Sequence, residues 1–355
     1  MKNLFLLMPF SMQRLTKNVL ILTILLFINH PSFSQINKDV KFTSSDPDIT
    51  LSATITLAKD HSISSAVVLL PVAGPTDRDL SLGNHKYYKA LADGLAKKGI
   101  ASIRYDDRGV GQSEGEFLEA NLQDRTKDAC KAMKFLRSEL SDIKYFGFIG
   151  MSEGAGISIL ASQLCDSISF MVLLSLPVRE GRIEMENQMS RLLEISYFTD
   201  KQKKEIEKEG MSFLKLAAST DSGTKRTDIL NIMKGKYGSV ILPPYQFVPK
   251  TPEAKTEFVL SPWYQSQLKY NIQDPLKNSD IPMFALYGDL DKAIDPTANA
   301  DLLRELSPET SIIELKGMNH LMQEAKTGSP MEYLMLPSSF STEVVDLISS
   351  WINEL

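Results

Sequence analysis

Cysteine, histidine and tryptophan are scarce in this chain, at 2, 4 and 2 of 355 residues. Two cysteines cannot build the disulfide framework of a small secreted scaffold. There is no cysteine and histidine cluster, no phosphate-cradling glycine loop and no carboxylate constellation, so neither a metal nor an organic cofactor is expected. Charge of one sign is lacking too. Lysine and arginine number 39 against 44 aspartates and glutamates, a formal net charge of −5. With no basic footprint and no run of like charges, nucleic acid is not an expected partner. The apolar run near the N-terminus, 19–28, is well short of the roughly 20 residues needed to span hydrocarbon. Internal repeats and low-complexity tracts are also missing. What remains, 43% apolar and 23% charged, is an ordinary globular composition, enough for one large core or two modest ones.

Residues 1–34 differ from the rest. Arg14 and Lys17 precede the apolar run, and Ser32-Phe33-Ser34 places small residues at the two positions a signal peptidase inspects. The expectation is a secretory signal peptide cut after Ser34, with Met12 an alternative start to Met1 because it leaves a short basic beginning. No cysteine follows the run to accept a lipid. The mature chain from Gln35 is then exported, periplasmic or secreted, with no stable membrane span. In an oxidising compartment Cys130 and Cys165 can pair. The favoured reading of each, however, is a small buried hydrophobe on the apolar side of a helix.

Beyond the leader, 40–42 and 49–56 read as an opening antiparallel pair, with alternation in Leu51, Ala53 and Ile55. A different rhythm follows. Short apolar runs at 66–70, 100–105, 145–149, 170–174, 281–287 and 312–315 are spaced by helical patterns at 87–98, 122–140, 154–164 and 298–306. A closing helix is expected at 342–355. Short, wholly apolar strands separated by amphipathic helices predict an α/β fold, a mostly parallel central sheet covered by helices on both faces. The rhythm breaks after Leu176 and returns near residue 281, too long an interval for a crossover. The organisation expected is a core in two parts, 35–176 and 279–355, around a lid insertion at 177–278. The first half of the insertion is helical by spacing. The second half, with Pro243, Pro244, Pro249, Pro252 and Pro262, is expected to be irregular.

Residues 145–156 place Gly150-Met151-Ser152-Glu153-Gly154 directly after an apolar strand and at the start of a helix. Such a tight turn needs small residues around the serine and pushes its hydroxyl out above the sheet. A serine hydroxyl is a poor nucleophile unless a base takes its proton. Of the four histidines, His30 lies in the leader, His61 at a turn and His85 ahead of an early helix; His320 follows the last core strand. A chain order of serine, acid, histidine leaves His320 alone. An acid is expected after the preceding strand, where Asp289, Asp291 and Asp295 all occur. The developing oxyanion needs N–H donors. Glu153, next after the serine, supplies one, and the loop 71–79 is assigned the other, at Ala73.

These segments, with Asp106-Asp107-Arg108-Gly109-Val110-Gly111-Gln112-Ser113 and residues 317–333, resemble the α/β-hydrolases, in particular bacterial secreted serine-aminopeptidase-like esterases. The spacing Gly288-x-x-Asp291 followed by Ile294 and Pro296 is similar to the acid loop of that family and selects Asp291. Asp289 and Asp295 are left as turn and capping residues. Asp107 and Arg108 read as a brace between loops, with no proton-transfer role. The function expected is a serine hydrolase, carboxylesterase-like, cleaving small-molecule acyl esters through an acyl-enzyme on Ser152. A peptidase or amidase, an acyltransferase or a thioesterase uses the same triad, and a non-catalytic binding protein on the same fold is a further alternative. In the insertion, Trp263 and Tyr264, with Tyr245, Met185 and Met189, are candidates for the wall of a substrate pocket; ordinary packing is the competing reading.

Overall fold

Strands form where β-branched and aromatic residues run without interruption, and here they carry the parallel sheet that the spacing predicted. The computed structural model describes residues 35–59, 63–220, 223–242 and 247–355, and Gln35–Leu355 is one unit. The leader, His61, Pro243, Pro244 and Tyr245 lie outside the described residues. β1 (Gln35–Thr43) and β2 (Thr50–Ala58) pair antiparallel, with Val40 opposite Ala53. β3 (Ser65–Leu70) leads into a two-residue ladder, β4 (Ser81–Leu82) with β5 (His85–Lys86), too short to leave any period in the sequence. Next come α1 (Tyr87–Ala96), β6 (Ile100–Tyr105), α2 (Leu122–Glu139), β7 (Tyr145–Met151), α3 (Glu153–Ser162) and β8 (Phe170–Leu174). After the insertion follow β9 (Met283–Gly288), α10 (Pro296–Leu306), β10 (Ser311–Leu315) and α11 (Thr342–Asn353), the four lid helices and two short ones between taking the intervening numbers.

The strand order is β1-β2-β6-β3-β7-β8-β9-β10, parallel from β6 onward. Residues of β3 alternate between two cores. Ala66, Val68 and Leu70 pack with residues of α2, α3 and α10, while Val67 and Leu69 pack with α1 and α11. Both faces being covered, the strand needs no polar residue, hence its continuous apolar run. The chain leaves β3 through α1 for β6 on one side and returns through α2 to β7 on the other. That reversal opens a crevice at the carboxyl ends of β3 and β7, where ligands bind in open α/β sheets.

The insertion is helical in both halves: α4 (Gly181–Glu194), α5 (Asp200–Ala218), α6 (Lys225–Lys234), α7 (Pro252–Leu260), α8 (Pro262–Leu268) and α9 (Gln273–Lys277). The irregular second half expected from its prolines holds for 237–242 and 247–251, which form no helix or strand, and is corrected for 252–260 and 262–268. Pro252 and Pro262 do not break helices but begin them, at the first position where the missing N–H costs nothing. Thr251 Oγ1 accepts the Ala254 N–H (3.3 Å) and Ser261 Oγ that of Tyr264 (3.2 Å), capping each start. A third core, with Ile206, Phe213, Leu214, Ile229, Phe258 and Trp263 fully inside, holds these helices together.

Cys130 and Cys165 form a disulfide, with Cα atoms 5.4 Å apart. This corrects the reading of both as free buried hydrophobes. Helices α2 and α3 lie side by side on one face of the sheet, which brings Cys130 on α2 to bonding distance of Cys165 just past the end of α3. Helical periodicity identifies a buried face but not which residue of a neighbouring segment it meets.

Candidate active site

Ser152 joins β7 to α3 with φ 54° and ψ −117°, a left-handed conformation that costs a non-glycine residue on the order of 1–3 kcal/mol. The backbone over-determines it. The Ser152 N–H donates to the Leu174 carbonyl (2.8 Å), and its own carbonyl accepts from Ala155 (3.0 Å). A Cβ on Gly150 would collide with the Gly154 carbonyl, and one on Gly154 with that of Leu70. Both glycines of the pattern are therefore required by close backbone approach.

Asp291 and His320 meet, as the sequence predicted for them: His320 Nδ1 lies 2.7 Å from Asp291 Oδ2, with the side chains 10% and 0% exposed. The second oxygen, Asp291 Oδ1, accepts the N–H groups of Ala293 (2.8 Å) and Ile294 (3.0 Å). The two neighbouring aspartates do other work. Asp289 Oδ1 accepts the Gly317 N–H (2.6 Å), and Asp295 caps α10 at Ala298 (3.0 Å). With Leu290 N–H on the Met318 carbonyl (3.0 Å), the Asp289 contact laces the acid loop to the loop carrying His320. His85, the other described histidine, pairs through Nδ1 with Ser339 Oγ (3.0 Å).

Serine and histidine are held from consecutive residues. Leu174 takes the Ser152 N–H, and Ser175 Oγ donates to the His320 carbonyl (3.0 Å). The Ser152 hydroxyl makes no direct hydrogen bond to the imidazole among the described residues; a shared backbone frame links the two. A cavity of about 110 Å³ has Ser152, Glu153, Ala73, Trp263, Tyr264 and Glu184 in its wall. The candidate nucleophile, both candidate oxyanion residues and both candidate pocket residues thus face one space. Trp263 and Tyr264 also belong to the lid core, so packing and pocket are not alternatives for them.

Asp107 and Arg108 act as the brace expected. Arg108 holds Asp128 through two nitrogens (2.7 and 3.0 Å). Asp107 Oδ2 accepts from Thr76 N–H (3.1 Å) and Oγ1 (2.8 Å), while its Oδ1 accepts from Arg125 Nη2 (3.2 Å). Arg125 Nη1 in turn donates to Glu153 Oε1, which also accepts from Gln267 Nε2 (2.9 Å). The chain Thr76, Asp107, Arg125, Glu153 therefore connects the loop bearing Ala73 to the start of α3. Burial pushes the Glu153 carboxyl up against the pull of Arg125, and nearby Asp107 raises it further. Sequence reasoning missed Arg125, although its place on the apolar face between Leu122 and Ala129 is a signal for a buried, partnered cation. It also missed Asn319 and Gln323. Asn319 Oδ1 accepts the N–H groups of Leu321 (2.9 Å) and Gln323 (3.0 Å), and its Nδ2 donates to Gln323 Oε1 (2.9 Å), stiffening the histidine loop.

Known proteins resemble this chain in sequence and in fold. Residues 83–205, which contain Ser152, match the family described as serine aminopeptidase, S33. Esterase EstD of Thermotoga maritima is 26% identical over 315 residues, covering 86% of this chain and 67% of that protein. The structure of an esterase from Pyrococcus furiosus superposes with a TM-score of 0.53 at 18% identity, over 91% of this chain and 92% of the other. The chain has the α/β-hydrolase fold. Est1E from Butyrivibrio proteoclasticus, solved with ferulic acid bound, has the same fold, with a TM-score of 0.54 at 15% identity over 89% and 98% of the two chains. Among the described residues no three histidines, cysteines, aspartates or glutamates are placed to hold a metal ion, and no helix is long and apolar enough to cross a membrane.

Proposed function

We propose that this α/β-hydrolase cleaves carboxylic esters with Ser152 as nucleophile, His320 as base and Asp291 as the acid that orients it. The observation carrying the reading is the buried Asp291–His320 pair, tied through Ser175 and Leu174 to a serine held in a strained turn at the wall of a cavity. A carboxylate only accepts, so the 2.7 Å contact assigns the proton to Nδ1 and leaves Nε2 as the base. Ser152 Oγ attacks the ester carbonyl as Nε2 takes its proton. The oxyanion is met by the N–H groups of Glu153 and Ala73. The tetrahedral adduct collapses with the alcohol taking the proton from His320, and water repeats the sequence to release the acid. The esterase relatives support esters over amides.

A second reading has its own observation: among the described residues the cavity wall includes Glu153 and Glu184, each bonded to an arginine through one oxygen and with its other oxygen unpartnered, and no cationic side chain. Such a wall favours a substrate with an ammonium group, as an aminopeptidase requires. Purified protein should be labelled by a fluorophosphonate at Ser152 and should lose that label, but not its fold, in Ser152→Ala. Labelling at another serine removes the assignment. Hydrolysis of aminoacyl p-nitroanilides but not of p-nitrophenyl esters would select the second reading. Export of the mature chain from Gln35 is part of the proposal, supported by the Cys130–Cys165 disulfide, a bond that persists in oxidising compartments.

A further inference from the structure

A second cavity, of about 200 Å³, lies inside the lid between α4, α5 and the segment 239–242. Among the described residues its wall contains Met189, Leu192, Leu214 and Ile241 and no charged side chain, whereas the wall around Ser152 includes Glu153 and Glu184. Met185, Gln188 and Tyr264 belong to the walls of both cavities. The two spaces are therefore separated by no more than one layer of side chains, one of which, Met185, is unbranched and can change rotamer at little cost.

We infer that the two cavities form one acyl-binding tract: the ester carbonyl sits at Ser152, and the acyl chain passes Met185 to end in the apolar lid cavity. The inference rests on the ester-hydrolase reading and adds the substrate class, esters of unbranched medium-chain acids. An apolar cavity of about 150 Å³ holds the six carbons of benzene, so the lid cavity takes about eight, and the space beside Ser152 extends the range to about twelve. Anionic chain ends are excluded, because the described wall of the lid cavity offers them no ionic partner.

The test is a series of p-nitrophenyl esters from acetyl to dodecanoyl. Each buried methylene is worth about fourfold in binding, and with partial burial the octanoyl ester should exceed the acetyl ester in kcat/KM by about thirtyfold or more. Leu192→Trp, at a half-buried position of α4, fills the lid cavity from its wall and should cut the octanoyl to acetyl ratio about tenfold, chiefly through KM. Ile241→Phe is the second variant, from the opposite wall. A wild-type optimum at acetyl or butanoyl, or a ratio unmoved in both folded variants, overturns the tract while leaving the esterase intact. If no ester of any length is turned over, the esterase reading itself fails. Titration of Ser152→Ala with methyl octanoate and methyl butanoate, read by calorimetry, then decides the tract. Octanoate binding at least about tenfold tighter, and weakened by Leu192→Trp, supports it; equal binding overturns it.

Discussion

Replacing Asp291 by asparagine changes one atom and should nearly abolish turnover. Asp291 Oδ1 accepts two N–H groups, from Ala293 at 2.8 Å and Ile294 at 3.0 Å, while Oδ2 faces His320 Nδ1 at 2.7 Å. An asparagine can keep its carbonyl on the two amides only by placing its NH₂ against the imidazole. The flipped amide would leave two buried donors facing a donor, at about 1–3 kcal/mol each. The orientation is thus imposed, and Nδ1 must become the acceptor. Its proton then resides on Nε2, where the base is needed. A triad with this fault loses on the order of ten-thousand-fold in turnover, which corresponds to about 5 kcal/mol of transition-state stabilisation. The assay is kcat on a p-nitrophenyl ester, with the melting transition as a check on folding. Asp289→Asn removes a charge from the same loop but retains an acceptor for Gly317, and should change kcat by less than about tenfold. A severe loss at Asp289 with a mild one at Asp291 would refute the assignment, and so would an Asp291→Asn enzyme within tenfold of wild type.

The disulfide closes a loop across 35 residues, which chain-entropy arguments value at about 3–4 kcal/mol. Reduction, or Cys130→Ser with Cys165→Ser, should lower the urea midpoint accordingly, and two titratable thiols in the native protein would show that the bond is absent. Arg191 Nη2 bonds both Glu184 Oε1 (2.5 Å) and the Ala293 carbonyl next to the acid loop (2.9 Å), so it pins lid helix α4 to that loop. Burial already holds the Glu184 carboxyl above its usual range, and Arg191→Ala removes the charge that restrains it. A carboxyl raised in the native state favours the proton-bound form, so stability falls as pH rises through that range. The Arg191→Ala loss should therefore be about 3 kcal/mol at pH 8 and smaller at pH 5, with Glu184→Gln restoring part of it; a pH-independent loss contradicts this. Intact mass of protein from the native host should begin at Gln35, and a retained Met1 or Met12 would remove the export proposal.

The alternation of apolar runs and amphipathic helices, the two glycines flanking Ser152 and the position of His320 after the last strand were all legible without coordinates. They are local consequences of chain geometry: a covered parallel strand must be apolar throughout, and an elbow admits only small neighbours. The prolines of the insertion were legible as residues but not as helix starts, because a proline at the first helical position and one in a loop have the same local chemistry until neighbouring helices supply a core. Tertiary structure alone decided which oxygens Asp291 shares with which donors, that Cys130 reaches Cys165, that Arg125 joins Asp107 to Glu153, and that the lid encloses a cavity sharing walls with the one at Ser152. Each of these depends on distances between segments far apart in the chain. Periodicity tells which face of a helix is buried, whereas packing of whole elements sets what that face touches.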